Sequence, residues 1–130
     1  MKDGKVVILV VDDSFPDWKH EWEHELPDGV EVVSTMELEE GRRLFQERKN
    51  EIDIIVIDYQ VIGGTTPDLI REIKASGFKG VVIGVSYTTI QPLIDAGCDY
   101  TCDRKCLFHD RELNIFGHLE EEIAKARRAE

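Results

Sequence analysis

No apolar run in the chain is long enough to anchor it in a membrane. The longest near the start, Val6 to Val11, is six residues, against the roughly 20 that a spanning helix takes and the roughly 7–15 of a secretory signal core. A cytoplasmic protein without membrane contact is therefore expected. Positive charge is also scarce. Sixteen Lys and Arg stand against 27 Asp and Glu, a net charge of −11, which repels a phosphate backbone and argues against direct nucleic-acid binding. The bases form no stripe; their densest group is Lys125, Arg127 and Arg128 at the end. Cysteine is sparse and odd in number, at three, a pattern of reduced thiols rather than a disulfide framework. Internal repeats and low-complexity linkers are absent. What remains is a balanced chain of 130 residues, 42% apolar and 33% charged, read as one compact domain over residues 1–130.

Val6-Val-Ile-Leu-Val-Val11 is the continuous β-branched run of a strand buried on both faces. It ends at Asp12-Asp13-Ser14, where Asp13 or Ser14 can cap a helix and Pro16 suits its first turn. Phe15, Trp18, Trp22 and Leu26 continue it as an apolar stripe. A strand is predicted over Val30–Val33 and a helix over Met36–Lys49, with Leu38, Leu44 and Phe45 inward. Ile52–Ile57 is a second apolar strand, followed by Asp58 and a loop through Gly63-Gly64-Thr65-Thr66-Pro67. Then come a helix over Asp68–Ser76 with Gly77 as its cap, a strand over Val81–Val85 and a short helix over Thr89–Ala96 ending at Gly97. A weaker strand over Tyr100–Asp103 and a closing helix over Leu113–Arg128 complete the chain. Five strands alternating with five helices predict a (βα)5 architecture: a doubly wound, parallel five-stranded sheet with right-handed crossovers.

In such a sheet, ligands bind beyond the carboxyl ends of the strands, where strand order reverses. The sequence puts Asp12 and Asp13 after strand one, Asp58 after strand three, Ser86 after strand four, and Arg104 and Lys105 after strand five. Three carboxylates at one edge repel one another, and a hard divalent cation relieves that repulsion. Magnesium suits such a site: it prefers oxygen ligands and retains several waters. A hydroxyl and a cation on the neighbouring strands could hold the oxygens of a phosphoryl group.

These residues resemble the receiver domains of two-component response regulators, of the chemotaxis-regulator kind, over essentially the whole chain. Asp12 and Asp13 match the acid pair, and Asp58, 45 residues beyond Asp13, matches the phosphoacceptor. Gly63 falls where glycine is common, Ser86 matches the switch hydroxyl, and Ala96-Gly97-Cys98-Asp99 is similar to the segment before strand five. The resemblance implies the flavodoxin-like receiver fold and a phosphoryl group accepted on Asp58 from a histidine kinase or phosphotransfer protein. It implies magnesium held by Asp12, Asp13, Asp58 and the backbone carbonyl of Gln60. It also implies a downstream target protein that reads the switch, while leaving a homodimer open. Such a chain is a phosphoacceptor signalling domain rather than an enzyme in the ordinary sense.

Four features depart from the family pattern. The strand-five lysine falls on Arg104 by counting from Gly97 and on Lys105 by chemistry, and both stay open because the two side chains meet phosphate differently. Only ten residues separate Ser86 from Ala96, which shortens the fourth helix. Tyr87 stands where a small residue is common and could restrict access to Asp58. Tyr100 is the nearest aromatic to the expected switch position but out of register. Gln60 and Thr88 should line the approach of a hydrolytic water. The departures support a second reading, an unphosphorylated pseudo-receiver serving as an interaction module. A third, a phosphatase with an aspartate nucleophile, wants a second acid where Gln60 stands.

Two further patterns read as structure. His20-Glu21-Trp22-Glu23-His24 spells a zinc-protease motif, but the histidines lie about 200° round the helix from the Trp18–Trp22 stripe, facing solvent. Cys98, Cys102 and Cys106, four residues apart, fall on strand and loop rather than on one helix face.

Overall fold

The computed structural model describes residues 5–17, 29–87, 89–103, 121, 124, 125 and 128. Five strands form its frame: β1 (Val6–Val11), β2 (Val30–Thr35), β3 (Ile54–Asp58), β4 (Val81–Ser86) and β5 (Tyr100–Asp103). They pair in the order β2-β1-β3-β4-β5, every neighbour parallel. The alternation of elements predicts the parallel five-stranded sheet, and its order is the flavodoxin-like one that the resemblance implies.

The period-two geometry of a strand explains why β1 and β3 are apolar throughout. Val6, Ile8 and Val10 join Ile54, Val56, Ile83, Val85 and Phe15 on one face. Val7, Leu9 and Val11 join Ile55, Ile57 and Val82 on the other, beneath three helices. Those helices are α1 (Leu38–Arg48), α2 (Pro67–Ala75) and α3 (Gln91–Ala96), which contribute Phe45; Leu69, Ile70 and Ile73; and Leu93 and Ala96. Each such side chain withdrawn from water contributes about 1.5–3 kcal/mol before the entropy of ordering is set against it.

The helix ends follow local chemistry. Glu39 and Glu40 lie in the first turn of α1 and Arg48 in its last, matching the helix dipole. Pro67 opens α2. At the end of α3, Gly97 adopts φ 109°, its N–H donating to the Ile94 carbonyl while that of Cys98 reaches Leu93. Gly84 serves a different purpose. A Cβ there would lie 2.8 Å from Cys98 Sγ and 3.1 Å from Leu93, so its missing side chain is what lets α3 sit close on β4.

Several boundaries differ from expectation. The second helix begins at Leu38 rather than Met36, because the Ile62 N–H donates to the Met36 carbonyl and the Leu38 N–H to the Ile62 carbonyl. Glu37 is thereby held in a parallel bridge with Ile62. Ile62 lies at the turn of a two-stranded ribbon, Gln60–Val61 against Gly64–Thr65, in a segment expected to be plain loop. β3 starts at Ile54 rather than Ile52, whose N–H still serves the Arg48 carbonyl of the preceding helix. β2 runs two residues further than expected, to Thr35. The fourth predicted helix starts at Gln91 rather than Thr89: the Leu93 and Ile94 N–H groups both donate to the Ile90 carbonyl, which makes Ile90 the cap. The Thr89 N–H donates to Ser86 Oγ in the preceding turn. Trp18, Trp22, Leu26 and the His20–His24 motif lie outside the described residues, as does most of the closing helix.

Candidate functional site

Strand order reverses at β1, which has β2 on one side and β3 on the other. The crevice beyond their carboxyl ends is where an open parallel sheet offers a ligand site. The last backbone bond of the β1–β2 ladder, from Asp12 N–H to the Thr35 carbonyl at 3.0 Å, sets Asp12 and then Asp13 on that edge. Asp12 is fully buried. Its Oδ1 accepts from the Ser14 N–H at 2.8 Å and the Ser14 hydroxyl at 2.9 Å, an Asx-type turn that starts the helical residues 15–17. Asp13 is exposed.

Asp58 is the final residue of β3 and is half-buried. Its Oδ1 accepts from the Tyr59 N–H at 2.8 Å. One carboxylate oxygen from each of Asp12, Asp13 and Asp58 can be chosen so that all three lie within 4.8 Å of one another. The set is entirely oxygen and negatively charged, the donor chemistry of a small hard cation rather than of zinc or copper. A magnesium ion fits these residues.

Asp58 and Asp13 open onto a cleft of about 460 Å³ that Ser14, Gln60, Ser86, Tyr87 and Thr89 also line. Ser86, the buried last residue of β4, accepts from the Thr89 N–H at 2.9 Å through its hydroxyl oxygen. Tyr87 is 59% exposed, at the wall of the cleft. Thus Asp13, Asp58, Gln60, Ser86 and Tyr87 come together, with Asp12 beside them. Tyr100 does not join them: it is half-buried on β5, paired with Ile83, and packs on the core. Arg104, Lys105 and Thr88 lie outside the described residues.

No family model and no curated protein sequence matches the chain. Solved structures do. A response-regulator receiver domain from Clostridium thermocellum is 23% identical with a TM-score of 0.71, covering 95% of each chain. The non-phosphorylated HemR receiver domain of Leptospira biflexa is 22% identical with a TM-score of 0.74, over 92% of this chain and 95% of that one. The Francisella response regulator 1452 receiver domain is 17% identical with a TM-score of 0.70, over 96% and 98%. The chain has the receiver fold.

Within the receiver fold two side chains matter at this edge that sequence reasoning did not assign to the site. Ser14, which with Asp13 is one of two candidate helix caps in the sequence, turns both its donors to Asp12; the Asp-x-Ser spacing is the available signal. Thr66 falls in the segment that the sequence predicts as loop. It is fully buried, and its hydroxyl donates to the Asp58 carbonyl at 2.6 Å. No signal in the sequence pairs residues 58 and 66.

Among the described residues, the helices do not include one long and apolar enough to cross a membrane.

Proposed function

We propose that this chain is a response-regulator receiver that takes a phosphoryl group onto Asp58 from a histidine kinase or phosphotransfer protein and signals by altered protein binding. The observation that carries the reading is the gathering of Asp12, Asp13 and Asp58 at the carboxyl edge of β1 and β3, with Ser86 in the same cleft. A carboxylate oxygen of Asp58 attacks phosphorus, the bond to the donor's imidazole nitrogen breaks, and that nitrogen leaves with the electron pair. Asp12, Asp13, Asp58 and the Gln60 carbonyl would hold magnesium, which when bound offsets negative charge on the transferring group. Ser86 supplies a hydroxyl to one phosphoryl oxygen, and Arg104 or Lys105 a positive charge to another.

Attack by water on phosphorus, past Gln60 and Thr88, releases phosphate and restores the carboxylate. The domain is thus a self-resetting phosphoacceptor rather than a turnover enzyme. The strongly acidic surface, with a net charge of −11, suits protein partners rather than nucleic acid. Beryllium fluoride with magnesium provides the test, because it mimics an acyl phosphate on an aspartate. Chemical-shift changes centred on Asp58 and Ser86, requiring both magnesium and beryllium fluoride, support the proposal. Spectra unchanged by the pair of reagents would favour an unphosphorylated interaction module.

A further inference from the structure

The peptide group between Asp58 and Tyr59 is hydrogen-bonded at both ends by groups that bear on Asp58. At its carbonyl end, the Thr66 hydroxyl donates to Asp58 O at 2.6 Å. At its N–H end, Tyr59 donates to Asp58 Oδ1 at 2.8 Å, sharing that hydrogen with the Val85 carbonyl at 3.0 Å. The Thr66 hydroxyl has one proton to give, and the Tyr59 carbonyl, which the Thr66 N–H also serves at 2.9 Å, lies further from it at 3.2 Å. Its proton therefore belongs to the shorter contact.

Thr66 sits where a helix cap is expected, immediately before Pro67 at the start of α2, yet it makes no side-chain capping bond. Its hydroxyl is turned to the acidic residue instead. Because Thr66 is fully buried, water does not replace that donor. A hydrogen bond to a peptide carbonyl fixes the plane of the group and strengthens its N–H as a donor.

We propose that Thr66 is a positioning residue for Asp58, acting through the intervening peptide to hold the carboxylate in one orientation toward the cleft. The proposal rests on the reading of Asp58 as phosphoacceptor and adds a residue to it. Thr66 does not touch the phosphodonor. Its loss therefore slows the transfer step and leaves the apparent affinity for the donor alone.

Two variants separate hydroxyl from shape: Thr66→Val keeps the branched outline without the donor, and Thr66→Ser keeps the donor. In Thr66→Val the rate at saturating acetyl phosphate falls about tenfold with KM unchanged. In the same variant the Tyr59 amide proton moves upfield and the Asp58 carboxyl carbon shifts, whereas Thr66→Ser stays close to wild type in all three. The two NMR signals need no phosphorylation. If the wild type gains no phosphoryl group, the receiver reading fails while these signals still decide whether the relay exists.

Wild-type Tyr59 and Asp58 signals in Thr66→Val overturn the proposal, as does a loss in Thr66→Ser as large as in Thr66→Val. Should Thr66→Val fail to fold, the wild-type protein decides. A Thr66 hydroxyl proton in slow exchange with water supports the bond, and one exchanging like an exposed threonine overturns it.

Discussion

Replacing Asp13 with asparagine keeps the outline of the side chain and removes one of three clustered negative charges. The chosen oxygens of Asp12, Asp13 and Asp58 lie within 4.8 Å of one another. At that separation two unit charges repel by about 3.5 kcal/mol at an effective dielectric of about 20, and by about 0.9 kcal/mol in bulk water. Asp13 is exposed, so the lower figure governs. With two such pairs relieved, the variant should be more stable than wild type by about 2 kcal/mol in chelator, or roughly 7 °C in Tm for a domain of this length. Magnesium should act in the opposite sense. A ligand at about 100 times its Kd stabilises the folded state by about 2.7 kcal/mol, and the variant, with one anionic ligand fewer, gains less. Thermal unfolding followed by circular dichroism, with chelator and then with saturating magnesium, reads both effects. A variant less stable than wild type in chelator, or equal magnesium shifts in the two proteins, would refute the reasoning.

Glu31 is held down at about 2, first by its hydrogen bond to Arg48 and then by that to Lys5. A carboxyl lowered on folding adds stability above its unfolded value, lost as pH falls through the folded one. Glu31→Gln should therefore cost about 1 kcal/mol in urea unfolding at neutral pH, the difference closing between pH 4.5 and about 2; a gap that persists at pH 2 refutes this. Gly84→Ala drives a methyl against Cys98 Sγ and Leu93 and should cost about 1–3 kcal/mol. Adding Cys98→Ala should restore part of the loss, and no restoration would mean the strain lies elsewhere. Burial, and after it the charge of Asp99, pushes the Cys98 thiol up to about 12. In a Cys102→Ser, Cys106→Ser background it should resist alkylation at pH 8 until the protein unfolds, and labelling at the rate of a free thiol contradicts that.

The strands were legible because a parallel sheet buries both faces, so β1 and β3 carry unbroken β-branched runs that few other structures require. Their acidic ends located the candidate site for the same reason: the carboxyl edge is where such a strand must give way to polar residues. Less legible was anything that depends on the chain returning through space. The Gln60–Thr65 ribbon reads as loop because it pairs over only two residues a side and its turn is tied down by backbone bonds joining Ile62 to Met36 and Leu38, which neither residue advertises. Thr66 looks like an ordinary residue before proline. Its bond to the Asp58 carbonyl exists only because the ribbon closes the chain on itself over eight positions. The start of α1 shifted because the Ile62 N–H takes the Met36 carbonyl that a longer helix would have used.

Intact-mass analysis after incubation with acetyl phosphate and magnesium tests the central claim most directly, with Asp58→Asn beside the wild type. The account predicts one phosphoryl adduct on the wild type, lost when magnesium is chelated and absent from the variant. An adduct that survives in Asp58→Asn, or a wild type that never acquires one, would contradict it.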